Sequence, residues 1–431
     1  MRRIVKMCAT ASAVALFIGL ATALDPPEAQ ALPPRPNILF LLVDDMRKDE
    51  LPPLTFRNDG TWLDFTSAAV AVPMCCPSRA TILTGRYSSE VGVRTNSEGM
   101  NLDDRSTVAT VMDGAGYRTG LAGKYLNNFP WTRPNTYVPP GWDYWRADGS
   151  AARAAESKGY YTADYLTVAT TNFIDSTPAG TPFFMYVGYN QPHLPAKPPK
   201  RYATAPVGLA PWPPNFNEAD VSDKPPAIRA LPLATQATTS RWLQERTNKA
   251  RSLMAVNDSV TSILAHPRQK GVLDNTLVVF ASDNGYGFGS HRVESKAFPY
   301  EELVTMPFFV RMPGRPAGTV AAQVSLVDLA PTFADFAGTT MPVTRGVSLK
   351  NVISDPRATL ARTWVFMEGP RRANTWQAVK SREAKYIVYD KGFKEYYDLA
   401  ADPYELTNRA SDPAYASRVS AAQAALTALR P

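Results

Sequence analysis

The chain has 431 residues, 45% of them hydrophobic, enough for one large domain and a smaller one around a filled core, which excludes disorder as the main state. Its 46 basic and 39 acidic residues leave a net charge of +7 with no long run of one sign, unlike the concentrated Lys and Arg of a histone-like or arm-type nucleic-acid binder. Three Cys and three His are too few for a disulfide-stapled mini-protein or a Cys/His zinc framework.

The amino end reads as a leader. Arg2, Arg3 and Lys6 precede an apolar run from Ala9 to Leu24, and Ala29-Gln30-Ala31 supplies a small-x-small cleavage pattern, so residues 1–31 are expected to be a cleaved signal peptide and Leu32 the mature start. The run is shorter than the ~20 residues of a spanning helix. Arg2-Arg3-Ile4-Val5-Lys6 is similar to a twin-arginine export signal, and the expected destination is the outside of the cell, the periplasm or the envelope. No later apolar stretch reaches spanning length, so no stable membrane span is expected.

Pro36 to Val43 is a continuous apolar run, the pattern of a strand buried on both faces, and it stops at Asp44-Asp45. The same design returns at Pro182–Gly188, followed by His193, and at Thr276–Ser282, followed by Asp283-Asn284-Gly285. Tyr117–Ala122 is strand-like and precedes Gly123-Lys124. Helical periods lie between these strands, at 107–113, 162–174 and 241–263, the last with Leu253, Val256, Val260 and Ile263 on one face. Alternation of this kind predicts an α/β fold, a mostly parallel sheet covered by helices on both sides, and ligands at the carboxyl ends of its strands. Residues 200–235, dense in Pro, are expected to form a long irregular loop near the site mouth. After about residue 350 the texture changes to short aromatic and β-branched runs at 364–368, 376–380, 386–390 and 395–399, then an Ala-rich helix over 413–429. The expected domains are therefore 32–350, catalytic, and 351–431, a small antiparallel sheet with one helix.

Cys75-Cys76-Pro77-Ser78-Arg79, continued by Thr84-Gly85-Arg86, is the most specific stretch. Pro77 suits the first turn of a helix, which puts Cys75 at a helix amino end, where oxyanions are stabilised. This stretch resembles the signature of the sulfatase family. In that family the first Cys is oxidised to formylglycine (3-oxoalanine) by a formylglycine-generating enzyme, and its hydrated aldehyde is the nucleophile; the match falls on Cys75. The resemblance runs along nearly the whole mature chain and implies an alkaline-phosphatase-like fold. It implies a calcium site on Asp44, Asp45, Asp283, Asn284 and the modified Cys75; the oxygen ligands suit any hard divalent cation, and calcium is preferred to magnesium by the resemblance alone. Lys124 and Lys296 match the family's sulfate-binding lysines, His193 its site histidine, which would protonate the leaving oxygen, and Arg79 would face the nucleophile and the metal site. His291, between the metal motif and Lys296, is expected to approach the substrate.

One departure stands out. Many sulfatases carry a histidine shortly after Gly-Lys, whereas here Tyr125-Leu126-Asn127 follows, and Asn127 is a candidate to take part of that role. That short motif, with Val138–Trp145 and Phe216–Pro225, resembles the N-acetylglucosamine-6-sulfatase branch. The implied activity is hydrolysis of a sulfate monoester, on a sulfated small molecule or glycan, with no nucleic-acid partner. A phosphonate or phosphodiester hydrolase on the same scaffold and a non-catalytic secreted binding protein are the alternatives. Trp131, Trp142, Trp145 and Trp212 are candidates for sugar stacking or for packing.

Overall fold

A computed structural model describes residues 35–127, 137–147, 160–355, 357–370 and 375–431. The expected leader and Trp131 lie outside the described residues. Eight strands form the main sheet: β1 (Asn37–Val43), β2 (Trp62–Ala69), β3 (Arg118–Gly123), β4 (Tyr144–Ala147), β5 (Phe183–Gly188), β6 (Thr276–Ser282), β7 (Phe308–Arg311) and β8 (Gly318–Ser325). Their order is β4-β3-β5-β1-β6-β7-β2-β8, and β7 alone runs against its neighbours. The three apolar runs are the centre of the sheet, with β1 between β5 and β6 and every residue of the three strands buried.

Alternation along β1 explains why the run has no polar side. Ile38, Phe40 and Leu42 enter one core cluster and Leu39, Leu41 and Val43 the other. The first cluster is covered by α1 (Cys75–Thr84), α2 (Val108–Gly114) and, late in the chain, Leu329–Phe336; Ile82, Leu83, Met112 and Phe333 are its helical contribution. The second is covered by α3 (Thr162–Asp175) and α4 (Gln236–Gln269), whose Leu253, Val256, Val260 and Ile263 are all fully buried. At about 1.5–3 kcal/mol for each large apolar side chain buried, these four anchor α4.

The second sheet, β12-β11-β10-β9, is wholly antiparallel and comprises β9 (Val365–Glu368), β10 (Trp376–Lys380), β11 (Ala384–Tyr389) and β12 (Lys394–Asp398). A terminal helix (Ala416–Leu429) packs Ala422 and Leu426 against Phe366, Val379 and Tyr386. The two sheets are tied directly, with the Glu368 amide donating to the Ala71 carbonyl at 2.9 Å.

Four strands carry no clear sequence signal. β7 is four residues long, β2 is interrupted by Asp64 and Thr66, β4 has only one buried residue, and the first half of β8 is an exposed edge. The Pro-rich segment 200–235 is irregular apart from single turns at Lys200–Tyr202 and Pro226–Arg229. Only its first two residues reach the cleft described below, while Ala210–Pro214 line a separate cavity.

Candidate active site

Parallel strands that finish level deliver their following residues to one edge. Val43 pairs with Ser282 and Gly123 with Gly188, so Asp44 and Asp45 after β1, Lys124 after β3, and Asp283 and Asn284 after β6 emerge together. Gly123, at φ 93°, and Gly188 make this possible. A Cβ on Gly123 would sit 2.0 Å from the Gly188 carbonyl oxygen, which instead accepts the Lys124 amide at 2.7 Å.

Cys75 is the first residue of α1, preceded by an extended Met74. Its Sγ lies 3.3 Å from Asp44 Oδ1 and 3.7 Å from Asp45 Oδ1, and Lys296 Nζ reaches it at 2.7 Å. Lys296 Nζ also donates to Asp45 Oδ1 at 2.6 Å, Lys124 Nζ pairs with Asp44 Oδ2, and Asn284 Nδ2 donates to Asp45 Oδ1 at 2.5 Å. Arg79 is fully buried behind this group: Nε donates to Asp283 Oδ2 at 2.7 Å, Nη1 to the Lys124 carbonyl at 2.8 Å, and Nη2 lies 3.7 Å from Asp44 Oδ2. Its hydrogen bonds thus go to a candidate metal ligand and to the backbone of Lys124, and it positions both. His193 Nε2 stands 3.5 Å from Asp45 Oδ2 with 41% of the side chain exposed to a cleft of 1020 Å³. Lys124 and Asn127 line that cleft too, and Asn127 Oδ1 is buried without a hydrogen-bond partner.

Three carboxylates, Asp44, Asp45 and Asp283, therefore meet three cations, Arg79, Lys124 and Lys296. Burial disfavours ionised Asp44, but Lys124, His193 and Arg79 outweigh it and hold its carboxyl far below the usual range; Asp45 is lowered against the same burial by Lys296. Burial and the neighbouring Asp44 charge push Asp283 upward. The same two causes raise the Cys75 thiol well above its ordinary value, so the unmodified thiol is a poor nucleophile at neutral pH.

The sulfatase family profile matches residues 36–339, and the N-sulphoglucosamine sulphohydrolase C-terminal profile matches 289–431. The chain belongs to the sulfatase family. It is 30% identical to the human N-acetylglucosamine-6-sulfatase over 87% of its own length and 81% of that protein's. An extracellular sulfatase SULF-1 homologue of Drosophila melanogaster is also 30% identical, over 72% of the chain, but the chain spans only 30% of that protein's length, and 47% of a Caenorhabditis elegans homologue's. Among solved structures, a protein in complex with its substrate D-glucosamine-2-N,6-O-disulfate superposes with a TM-score of 0.78 at 23% identity, covering 91% of this chain and 97% of that one. The phosphonate monoester hydrolase of Agrobacterium radiobacter follows at 0.76 and 23%, covering 92% and 95%. Likeness at that identity concerns the fold.

The donor set fits a hard divalent cation. Asp44 and Asp45 offer carboxylate oxygens within one cluster with Cys75 and His193, Asp283 adjoins it through Oδ1, which accepts the Asp45 amide at 3.1 Å, and Asp45 Oδ2 and Asn284 Oδ1 are buried with no hydrogen-bond partner, as cation ligands would be.

His291 departs from expectation. It is fully buried, its Nδ1 is 2.6 Å from Glu218 Oε2, its Nε2 accepts from Asn215 Nδ2 at 3.0 Å, and its ring packs on Tyr300, 4.1 Å between centroids. Left-handed backbone at His291 (φ 49°) and Arg292 (φ 63°) turns the chain there, and the side chain joins an interior network with no place in the cleft. Burial pushes its pKa down to about 3, so the ring is neutral. Trp142 and Trp145 pack together with Tyr125 and Phe184, and Trp212 stacks on Phe216 at 4.0 Å.

Two positioning residues have no motif. Lys249 of α4, fully buried, donates to the Asp45 carbonyl at 2.7 Å and pairs with Glu50 at 3.0 Å, fastening Asp45 in its left-handed conformation at φ 64°. The available signal was its place on the apolar stripe with Leu253, Val256 and Val260. Trp376, from the small sheet, donates its indole N–H to the Ala297 carbonyl at 3.0 Å, next to Lys296.

Proposed function

We propose that the chain is an exported sulfatase that hydrolyses the sulfate monoester of a sulfated carbohydrate, using Cys75 in its formylglycine form and a calcium ion held by Asp44, Asp45, Asp283 and Asn284. The observation that carries this reading is the junction of Cys75, at the amino end of α1, with Asp44, Asp45, Lys124 and Lys296 in one buried cluster beneath an open cleft. The modified residue supplies, in this family, a hydroxyl nucleophile, and the cation supplies charge neutralisation at the sulfate oxygens.

The remaining work falls to the chain's own groups. Lys124 and Lys296 flank Cys75 and balance negative charge on the sulfate as the ester bond lengthens. His193, the exposed member, is on the side open to the leaving alcohol and gives its Nε2 proton to that oxygen. Arg79 holds Asp283 and the Lys124 backbone so that neither shifts as charge moves. Residues 32–350 form the catalytic domain in this reading and 351–431 a subdomain that buttresses it. A cleaved leader over 1–31 accounts for export, and the extracellular relatives support that destination. The carbohydrate substrate rests on the human relative's name and on the amino-sugar disulfate bound to the structural neighbour.

Peptide mass spectrometry across Met74–Arg79, after co-expression with a formylglycine-generating enzyme, tests the reading; conversion of Cys75 is expected, together with hydrolysis of an aryl sulfate. Cys75→Ser lacks the second hydroxyl that releases sulfate, so it should turn over at most once, and sustained turnover by that variant would contradict the proposal. Phosphonate monoester hydrolysis is the second reading, favoured by the fold neighbour of that activity. A higher kcat/KM on an aryl phosphonate than on any sulfate would replace the first reading with it.

A further inference from the structure

The buried network around His291, set apart from the cleft, holds more metal-binding atoms than its own hydrogen bonds use. His291 Nε2 or Nδ1 and one carboxylate oxygen each from Glu302 and Glu405 lie within 4.8 Å of one another. Glu302 is in the first turn of the short helix Glu301–Val304, and Glu405 enters from beyond β12 with its backbone at φ 56°. Glu405 on its own is an ordinary ion-pair member, since it accepts Lys385 Nζ and the Glu301 amide, both at 2.7 Å.

His291 and Glu302 are not accounted for in that way. Asn215 Nδ2 stands 3.0 Å from His291 Nε2, 2.7 Å from Glu302 Oε1 and 3.1 Å from the Tyr404 carbonyl oxygen. Its two hydrogens do not fill three acceptors. Because the atom facing Nε2 is a donor, Nε2 is the unprotonated nitrogen, and the ring proton is on Nδ1, directed at Glu218 Oε2 at 2.6 Å. A carboxylate on the far nitrogen is what orients a metal-binding imidazole. Asn215 is fully buried with its amide among these groups, yet Oδ1 has no partner, and Glu302 Oε2 is also buried with none. Among the described residues no lysine or arginine forms an ion pair with Glu302. A way in exists: Glu302 and Tyr404 line the separate cavity beside Ala210–Pro214, which measures 660 Å³.

We propose that His291, Glu302 and Glu405, with Asn215 Oδ1 as a fourth donor, form a second metal site, one for a first-row transition ion such as zinc. An imidazole nitrogen and carboxylate oxygens suit zinc, at about 2.0–2.2 Å from each, and two carboxylates balance its charge. Calcium, which takes oxygen ligands, is disfavoured by the imidazole. A half-turn of the Asn215 amide exchanges Nδ2 for Oδ1 and completes the set. The position gives the site its use. His291 and Glu302 bound the segment that carries Lys296, and Glu405 lies past the second sheet, so the ion would clamp both ends of that segment to the carboxyl-terminal part of the chain.

The test uses the full chain as Cys75→Ala, which removes the thiol that could draw zinc to the catalytic cluster, stripped with chelator and then saturated with calcium. Calorimetric titration with zinc chloride should show one tight equivalent, and metal analysis after desalting one zinc per chain. Glu218→Gln, which touches no metal, should weaken binding about 10–100-fold by freeing the ring. Glu302→Gln keeps the shape and the acceptor for Asn215 but removes the charge, and it should weaken binding further while melting like its parent in the absence of zinc. With Co2+ in place of zinc, a visible d–d band should appear that His291→Gln abolishes. Absence of a zinc equivalent in the Cys75→Ala chain overturns the proposal, and that reading needs no substitution at the site, so a variant that fails to fold cannot hide it. An equivalent that persists in Glu302→Gln, or that is lost with His193→Ala, also overturns it. Turnover enters none of these readings, so failure of the sulfatase reading leaves the second site standing.

Discussion

Asp45 carries more constraints than any other residue of the site. Its side chain meets Lys296, Asn284 and His193, its amide donates to Asp283 Oδ1 at 3.1 Å, and its backbone adopts φ 64°, a region costly for residues with a Cβ although less so for Asp. The conformation persists because Lys249 grips the Asp45 carbonyl from the opposite layer of the molecule while Ser282 Oγ accepts the Met46 amide at 2.9 Å. Lys249→Met keeps the length and the apolar stem but removes the donor and leaves Glu50 buried without its cation. The expected cost is about 3 kcal/mol in stability, the usual consequence of breaking a buried pair from one side. Lys249→Met/Glu50→Gln should recover most of that stability in denaturant titrations, yet kcat should stay depressed, since the Asp45 carbonyl remains unheld. Recovery of kcat together with stability would mean that Lys249 serves folding alone.

Among elements, the loop after Asn284 shows how the second sheet enters the site. Lys296 sits on no strand or helix. Ala297 follows it at φ 85°, donates its amide to the Pro73 carbonyl at 3.1 Å, just before Cys75, and accepts the Trp376 indole N–H; two residues on, the Pro299 carbonyl accepts Lys385 Nζ at 2.8 Å. β10 and β11 thus fix the loop that aims Lys296 at Cys75. Trp376→Phe retains the buried ring and strands the Ala297 carbonyl, so a loss of about 1–2 kcal/mol in stability is expected, with kcat down about tenfold and KM little changed. The decisive reading is the pair with Lys296→Ala: if Trp376 acts through Lys296, the Phe substitution has no further effect on kcat in that background, and additive losses would refute the link. These elements also mark what sequence patterns reveal. The three central strands were legible because a continuous apolar run specifies burial on both faces; where the run halts at carboxylates it also marks the strand end, and Asp44, Asp45, Asp283 and Asn284 follow from it, whereas Lys124 was legible only through the resemblance of Gly123-Lys124 to the family motif. Trp376 was not legible, because its partner is 79 positions away and nothing local marks an indole as a donor to an active-site loop. His291 misled for the same reason: nearness in sequence to Lys296 says nothing about direction when two left-handed residues intervene to turn the chain.

For the whole molecule, the site is the point where distant segments must be held against their own charge. Three buried carboxylates converge from the ends of β1 and β6, and the ammonium groups of Lys124 and Lys296 come from β3 and the Lys296 loop, so the central sheet can close only if that charge is balanced. No helix among the described residues is long and apolar enough to cross a membrane. A divalent cation that binds the assembled cluster and not the unfolded chain, in which Asp44 and Asp283 are far apart, stabilises folding by mass action, about 2.7 kcal/mol at a hundred times its dissociation constant. For a chain of this size that is a rise in Tm of roughly 3 °C. Thermal melts in calcium should therefore lie above melts in chelator, with a smaller shift in magnesium, which accommodates an irregular carboxylate–amide donor set less readily. The Asp45→Asn/Asp283→Asn chain should melt at one temperature in all three conditions. Because the readout is unfolding, the result does not depend on whether Cys75 has been modified. A Tm that is the same in calcium and chelator for the unaltered chain would remove the metal from the site.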